Sequence, residues 1–389
     1  MQGEDWMESA LAELRAAHLE RRLTTYPATG GRITLDGRTL LNFSGNDYLG
    51  LARHPRVIEA AAKALHEYGA GATASRLVTG TLPLHEELER RLAEFKGYPS
   101  ALVFGSGYLT NAGTISAVMG PDDLVLADRL AHASLIDAAV LSRARLLRFR
   151  HNDPTHLDEL LSTHPGRRRL VVTESVFSMD GDLAPLPDLA AVAAKHDAML
   201  LVDEAHATGV FGPGGAGLIS EQGLADRVTL SMGTLSKALG GYGGFVACSE
   251  SMRAWLINRA RAFIYTTAPP PSALGAALGA LTVLSKRPDI GRELLSRAAR
   301  FRKCLADAGL NTLNSASQIV PLNVGDNAKA VALAQRLKEE GLLAVAIRPP
   351  TVPPGTARIR FSISLAHEPA DLENAAETII GAARAEGLA

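Results

Sequence analysis

The sequence predicts an α/β protein: one large, mostly parallel seven-stranded sheet flanked by helices, a small α+β domain at the carboxyl end and a short segment at the start. Two observations predict this architecture. Between residues 55 and 285, seven short, continuous apolar runs alternate with helical patterns. Strands covered on both faces read as unbroken apolar runs, and helices between them return the chain so that neighbouring strands lie parallel. A change of pattern after residue 286, where strand-like and helix-like stretches alternate again on a smaller scale, predicts the separate α+β domain.

In chain order, Met7, Leu11, Leu14 and Leu19 recur at helical spacing among charged positions, which predicts an amphipathic helix over 7–22 that packs by its leucine face. A β-like stretch over 32–43 turns at Asp36-Gly37. Ser44-Gly45-Asn46-Asp47-Tyr48-Leu49-Gly50 is turn chemistry and marks a junction, so residues 1–54 form the N-terminal segment. The large domain spans 55–285, with strands expected at 101–104, 124–127, 146–149, 170–173, 199–202, 228–231 and 244–248, and a long helix through 272–285. The small domain, 286–389, has strands at 319–324, 344–347 and 357–363 and helices at 328–340 and 369–385.

Bulk properties narrow the functional classes. The 389 residues carry a formal net charge of -1, which gives no overall field toward nucleic acid or an acidic membrane. The first residues lack the basic region and apolar stretch of a signal peptide, and no apolar run is long enough to span a bilayer, so a cytoplasmic protein is expected. Cys248 and Cys304 are the two cysteines, without the spacing of a zinc site, and read as buried free thiols.

The chemistry concentrates at two strand ends. Asp203-Glu204-Ala205-His206 follows the run 199–202, and Gly233-Thr234-Leu235-Ser236-Lys237 follows 228–231. Neighbouring parallel strands bring such ends together. A carboxylate at the end of a buried strand calls for a cationic partner, which a protonated pyridine nitrogen supplies. Lys237, set among small residues, is suited to lose its proton by desolvation and act as a Schiff-base amine. Gly105-Ser106-Gly107-Tyr108, between a strand and a helix starting near Leu109, aims backbone N–H groups at an anion.

Two other motifs compete. Gly212-Pro213-Gly214-Gly215-Ala216-Gly217 has dinucleotide-loop spacing, but a proline in second position and no N-terminal βαβ setting. Asp203–His206 also spells a nucleotide-hydrolase box, yet no phosphate-binding G-x-x-x-x-G-K-[ST] loop lies upstream.

Further stretches include Ala131-His132-Ala133-Ser134-Leu135, Val176-Phe177-Ser178-Met179-Asp180-Gly181-Asp182 and Arg348-Pro349-Pro350-Thr351-Val352-Pro353. Together with the segments above, over nearly the whole chain, they resemble the α-oxoamine synthase family of fold-type I enzymes that use pyridoxal 5'-phosphate (PLP). The resemblance implies that Lys237 holds the cofactor as a Schiff base and moves protons at the substrate Cα. It implies that Asp203 pairs with the pyridine nitrogen, that His132 stacks on the ring and assists acylation, and that Ser178 and His206 bond the phenolic oxygen. Gly107, Tyr108 and Thr234 would hold the phosphate, joined by Thr267 of a second subunit, which implies a homodimer with its active site at the subunit interface. Arg360 and Asn46 match groups that hold the amino-acid carboxylate, and Arg21, with Arg22 adjacent, and Thr351 match acyl-substrate positions.

The implied reaction is decarboxylating condensation of an amino acid with an acyl thioester. The 348–353 segment matches best the members that join L-alanine to a pimeloyl group, on coenzyme A or acyl carrier protein, in biotin biosynthesis. Glycine C-acetyltransferase, 5-aminolevulinate synthase and serine palmitoyltransferase activities are the alternatives within the family. An alternative of a different class is a catalytically silent partner subunit that keeps the fold, as family members lacking the lysine do, and an NAD-dependent oxidoreductase is a distant third. The family commonly has glycine where this chain has Ala207, which bears on the local backbone fit.

Overall fold

The computed structural model describes residues 5–27, 30–35 and 37–388. They form two units: one takes residues up to Tyr48, Met179–Asp182 and Leu294 onward, the other Leu49–Ser178 and Leu183–Glu293.

In the first unit, the opening helix is Asp5–Ala16, shorter than its periodicity suggests. His18 adopts φ 54°, and the Leu19 N–H reaches back to the Leu14 carbonyl at 2.8 Å. This is a left-handed stop without the usual glycine, so no residue type signals it. The leucine face does not pack: Met7, Leu11 and Leu14 are all exposed. Strands β1 (Arg32–Leu35) and β2 (Arg38–Asn42) form the expected hairpin. Asp36 of its turn lies outside the described residues, and Gly37 takes φ 75°.

The second unit carries the large sheet. Its strands are β3 (Ser100–Phe104), β4 (Leu124–Asp128), β5 (Arg145–Phe149), β6 (Arg169–Glu174), β7 (Met199–Asp203), β8 (Leu230–Thr234) and β9 (Gly244–Cys248), in the order β3-β9-β8-β7-β6-β4-β5. Only β9 runs against the others. The central strands are buried apart from the half-buried Arg169 and Met199 that start β6 and β7, whereas the edge strand β5 is half-exposed and carries Arg145 and Arg148, charges that blunt an edge. All seven expected strands are present, with β8 displaced two residues toward the C terminus. Gly233 and Thr234 read as loop residues but pair with Phe245 and Gly244 of β9. Gly233 belongs to the strand because a Cβ there would lie 2.4 Å from the Phe245 ring; the bare backbone makes room for that phenyl group.

Glu204 links the two competing motifs in one buried structural contact. Its carboxylate is fully buried against Lys96, whose amine also donates to the Ala216 carbonyl at 2.6 Å, while the Ile219 N–H donates to Glu204 at 3.0 Å. The loop Gly212–Gly217 closes over this ion pair, and the short helix Leu218–Glu221 that follows it sets its first turn onto Glu204. Cys248 is buried as expected, but Cys304 is exposed, on the outer face of the helix Ile290–Asp307. Among the described residues, no helix is long and apolar enough to cross a membrane.

The rest of the first unit comprises β10 (Ile319–Gly325), β11 (Leu342–Leu343), β12 (Val345–Ile347) and β13 (Ala357–Ser362), with helices Asn327–Glu339 and Pro369–Ala385. Strand β13 lies between β10 and β12, and β11 joins β2 in parallel. His367 is buried there: its Nδ1 accepts the Ser364 N–H at 3.2 Å, and Nε2 faces the Asn42 carbonyl at 3.0 Å. Desolvation lowers its pKa to about 4, against a smaller opposing pull from the Asn42 carbonyl. The unfolded chain takes up this proton near pH 6.5 and the folded chain only near 4. The stability His367 confers is therefore complete above pH 6.5 and lost as pH falls toward 4, a difference of about 3 kcal/mol. Urea midpoints at pH 7 and pH 4.5 should fall less for His367→Gln than for the native chain; an equal fall would contradict this assignment.

Candidate active site

Parallel register aligns the carboxyl ends of β4, β6 and β7, where Asp128, Glu174 and Asp203 stand, all buried. Ligands of open α/β sheets bind outside these ends. Asp203 Oδ1 accepts the Ala205 N–H at 2.8 Å, and Oδ2 accepts Asn111 Nδ2 at 2.9 Å. Its carboxylate is thus oriented by donors from two sides. Lys237, half-buried in the turn after β8, places Nζ 2.8 Å from His206 Nε2. The amine and the imidazole share one hydrogen bond, so the two predicted strand-end segments do meet.

Glu174 pairs in register with Asp203. Burial pushes its carboxyl up to about 8, the nearby Asp203 charge adds to the effect, and Lys237 and the His132 N–H oppose it. Glu174 therefore keeps its proton at neutral pH, as two adjacent buried acids require. Its Oε1 accepts the His132 N–H at 2.8 Å. His132 caps the helix Ala133–Ser142, with its ring exposed on one side. Desolvation by the remaining surroundings lowers its pKa, outweighing the attraction of Asp203.

The anion cradle begins at Ser106, whose Oγ accepts the Leu109 N–H at 3.2 Å and caps the helix Gly107–Val118. Gly107 and Gly244 touch by backbone: a Cβ on Gly244 would meet Gly107 Cα at 2.8 Å. No side chain fits between the helix start and β9 at this point, so backbone lines the cradle here. Thr234 is buried and donates to the Gly243 carbonyl at 2.9 Å, with Ser236 Oγ at 2.7 Å from its hydroxyl. Tyr108 is exposed, and its hydroxyl donates to Asp137 at 2.6 Å.

Ser178 is buried after Phe177, whose ring meets His151 edge-on at 4.4 Å; His151 in turn bonds Asp128 at 2.9 Å. Thr267 is exposed, on a single bridge to Ser75. An amine, a buried carboxylate and a glycine-lined helix start are the donor set that PLP needs for its aldehyde, ring nitrogen and phosphate, so these residues fit that cofactor.

The first unit holds the predicted carboxylate-binding pair. Both terminal nitrogens of Arg360, on β13, donate to Asn46 Oδ1 at 3.2 Å, and single contacts reach Tyr48 Oη at 3.2 Å and Ser362 Oγ at 3.1 Å. These acceptors orient the guanidinium. Arg21 lies beyond the opening helix, exposed, and beside Arg348, whose pKa is lowered by desolvation and then by the Arg21 charge. Thr351 is exposed and donates its N–H to the Arg348 carbonyl at 3.1 Å.

Four residues near the site escaped sequence reasoning: Asn111, Ser134, Glu174 and Ser236. Glu174 carried the signal that exposed Asp203, an acid ending an apolar run. Asn111 is the one side-chain amide of the helix Gly107–Val118, among Thr110, Thr114 and Ser116. Ser134 and Ser236 carried no signal separable from ordinary helix-cap and turn chemistry.

The model for class I and II aminotransferases matches residues 38–379. The chain is 49% identical over 370 residues to the 8-amino-7-oxononanoate synthase of Anaeromyxobacter dehalogenans, covering 95% of this chain and 93% of that one. It is 48% identical to the synthase of the same name from Geobacter sulfurreducens, covering 94% of each. Among solved structures it resembles serine palmitoyltransferase of S. paucimobilis with a bound PLP–myriocin aldimine: TM-score 0.94, 33% identity, covering 100% of this chain and 99% of that one. It also resembles 8-amino-7-oxononanoate synthase from Francisella tularensis: TM-score 0.76, 29% identity, covering 90% and 99%.

Proposed function

Because the chain belongs to the family of class I and II aminotransferases, we propose that it catalyses the decarboxylating condensation of L-alanine with a pimeloyl thioester, giving 8-amino-7-oxononanoate for biotin. It is a PLP-dependent acyltransferase. The observation that carries this reading is the Lys237 amine on His206 beside a buried, oriented Asp203, in a chain nearly half identical to synthases of that product. PLP, when bound, supplies an electron sink for negative charge at the amino-acid Cα.

Lys237 holds the cofactor covalently and moves the proton at Cα, and its contact with His206 keeps the amine directed. Asp203 keeps the pyridine nitrogen protonated, and Asn111 and the Ala205 N–H orient it for this. Ser178 and His206 bond the phenolic oxygen, while Gly107, Tyr108 and Thr234 bind phosphate at the helix start, with Ser236 as a further donor. Thr267 serves the neighbouring subunit of a cytoplasmic homodimer. His132 would pack against the ring of bound PLP and stabilise the acyl oxygen as the thiol departs. Arg360 and Asn46 bind the amino-acid carboxylate, and Arg21 and Thr351 bind the acyl chain.

Arg360→Lys is expected to raise the KM for L-alanine about 10- to 100-fold with little change in cofactor absorbance, because an ammonium cannot reproduce the guanidinium fork. An unchanged KM would remove Arg360 from this role.

Thiol release should be measured with L-alanine, glycine and L-serine against pimeloyl, acetyl and palmitoyl thioesters. The proposal expects the L-alanine and pimeloyl pair to dominate. The high similarity to serine palmitoyltransferase structures makes L-serine with palmitoyl thioester the informative competitor, and dominance of that pair would overturn the proposal.

A further inference from the structure

His132 must act through one ring nitrogen, and its surroundings determine which. Its Nδ1 accepts the backbone N–H of Ser134 at 3.2 Å. A backbone amide only donates, so Nδ1 carries no hydrogen in this contact. Ser134 Oγ lies 2.8 Å from the same Nδ1, and the direction of that bond follows from the hydroxyl's other neighbour.

Asn111 Nδ2 stands 2.9 Å from Ser134 Oγ and 2.9 Å from Asp203 Oδ2. An ionised carboxylate accepts and cannot donate, so the amide must turn its NH2 group, not its oxygen, toward this corner. Its Oδ1 is left buried without a hydrogen-bond partner among the described residues, the cost of that orientation. With one amide hydrogen on Asp203 and the other on Ser134 Oγ, the serine hydrogen has His132 Nδ1 as its acceptor. Asn111 and Ser134 are each about 1% exposed, so water does not compete along this chain of bonds.

We infer that the chain from Asp203 through Asn111 to Ser134 holds neutral His132 as the tautomer with hydrogen on Nε2, making the ring a hydrogen-bond donor to the acyl carbonyl oxygen. Ser134 and Asn111 are thus positioning residues for the acylation step. Negative charge develops on that oxygen when the Cα attacks the thioester, and an N–H there stabilises it. The opposite tautomer would present a lone pair and repel it. The identity of the acceptor rests on the proposed function, whereas the tautomer rests on this hydrogen-bond chain alone.

The test is the long-range 1H–15N spectrum of PLP-loaded enzyme labelled with 15N-histidine, with His132 assigned by His132→Gln. The expected native signature is an unprotonated Nδ1 and a protonated Nε2. In Ser134→Ala the backbone donor remains, so a mixture of tautomers is expected, with kcat lower by about three- to tenfold, as loss of one hydrogen bond implies, and the amino-acid KM unchanged. Native His132 with hydrogen on Nδ1, or Ser134→Ala with the native tautomer and native kcat, would overturn the inference. Failure to take up PLP or to release thiol would instead count against the proposed function, and the tautomer would still be readable in the protein without cofactor.

Discussion

Lys237→Ala is expected to lower turnover by at least about 10⁴-fold, since it removes both the covalent anchor and the base that moves the Cα proton. The fold should survive, because Lys237 is half-buried and stands after β8, outside the regular strands and helices. His206 cannot replace it. The imidazole can accept a proton but cannot hold the aldehyde as a primary amine does. Two measurements separate anchor from base. Borohydride reduction should fix PLP permanently to native protein, on the peptide containing Lys237, and leave it releasable from Lys237→Ala. Added small amines should recover part of the proton transfer without restoring the covalent link. A variant that still retains PLP after reduction and denaturation would place the anchor on another lysine.

Asp203→Asn is the second large effect. The carboxylate is buried at the end of β7 and oriented by the Ala205 N–H and Asn111 Nδ2. Removing one charge of a buried pair costs roughly 3–5 kcal/mol, or about 10²- to 10³-fold and more in rate. Whichever way the new amide turns, its NH2 faces either the Ala205 N–H or the Asn111 NH2, donor to donor, so the orienting network suffers with the charge. The expected result is a loss of that size in kcat, with weaker PLP binding and an altered cofactor absorption band. Within tenfold of native kcat, the ring nitrogen would not depend on Asp203.

These residues differ in how openly the sequence displayed them. Lys237, Asp203 and His206 were legible because buried parallel strands have a plain signature, and functional groups collect where such strands end. The cradle at Gly107 was legible for the same reason, as a glycine-rich turn between a strand and a helix. Contacts that depend on tertiary geometry were not. Ser134 and Asn111 lie 23 residues apart, and only packing of two helices shows that their side chains touch. The displacement of β8 followed from the fit of Gly233 under Phe245, a contact between strands. The opening helix stopped early through a left-handed histidine, where propensity alone would have carried it on. Periodicity therefore recovered the scaffold and the strand-end groups, while the side chains orienting those groups emerged only in three dimensions.

The most direct test uses PLP-loaded enzyme, L-alanine labelled with 13C at the carboxyl carbon, and pimeloyl thioester. Bond formation between Cα and the acyl carbon expels the thiol, and cleavage of the Cα–carboxylate bond expels carbon dioxide. The expected result is stoichiometric free thiol and labelled carbon dioxide, with an unlabelled product of the mass of 8-amino-7-oxononanoate. Label retained in an amide or keto-acid product, or thiol release with no labelled carbon dioxide, would contradict the account.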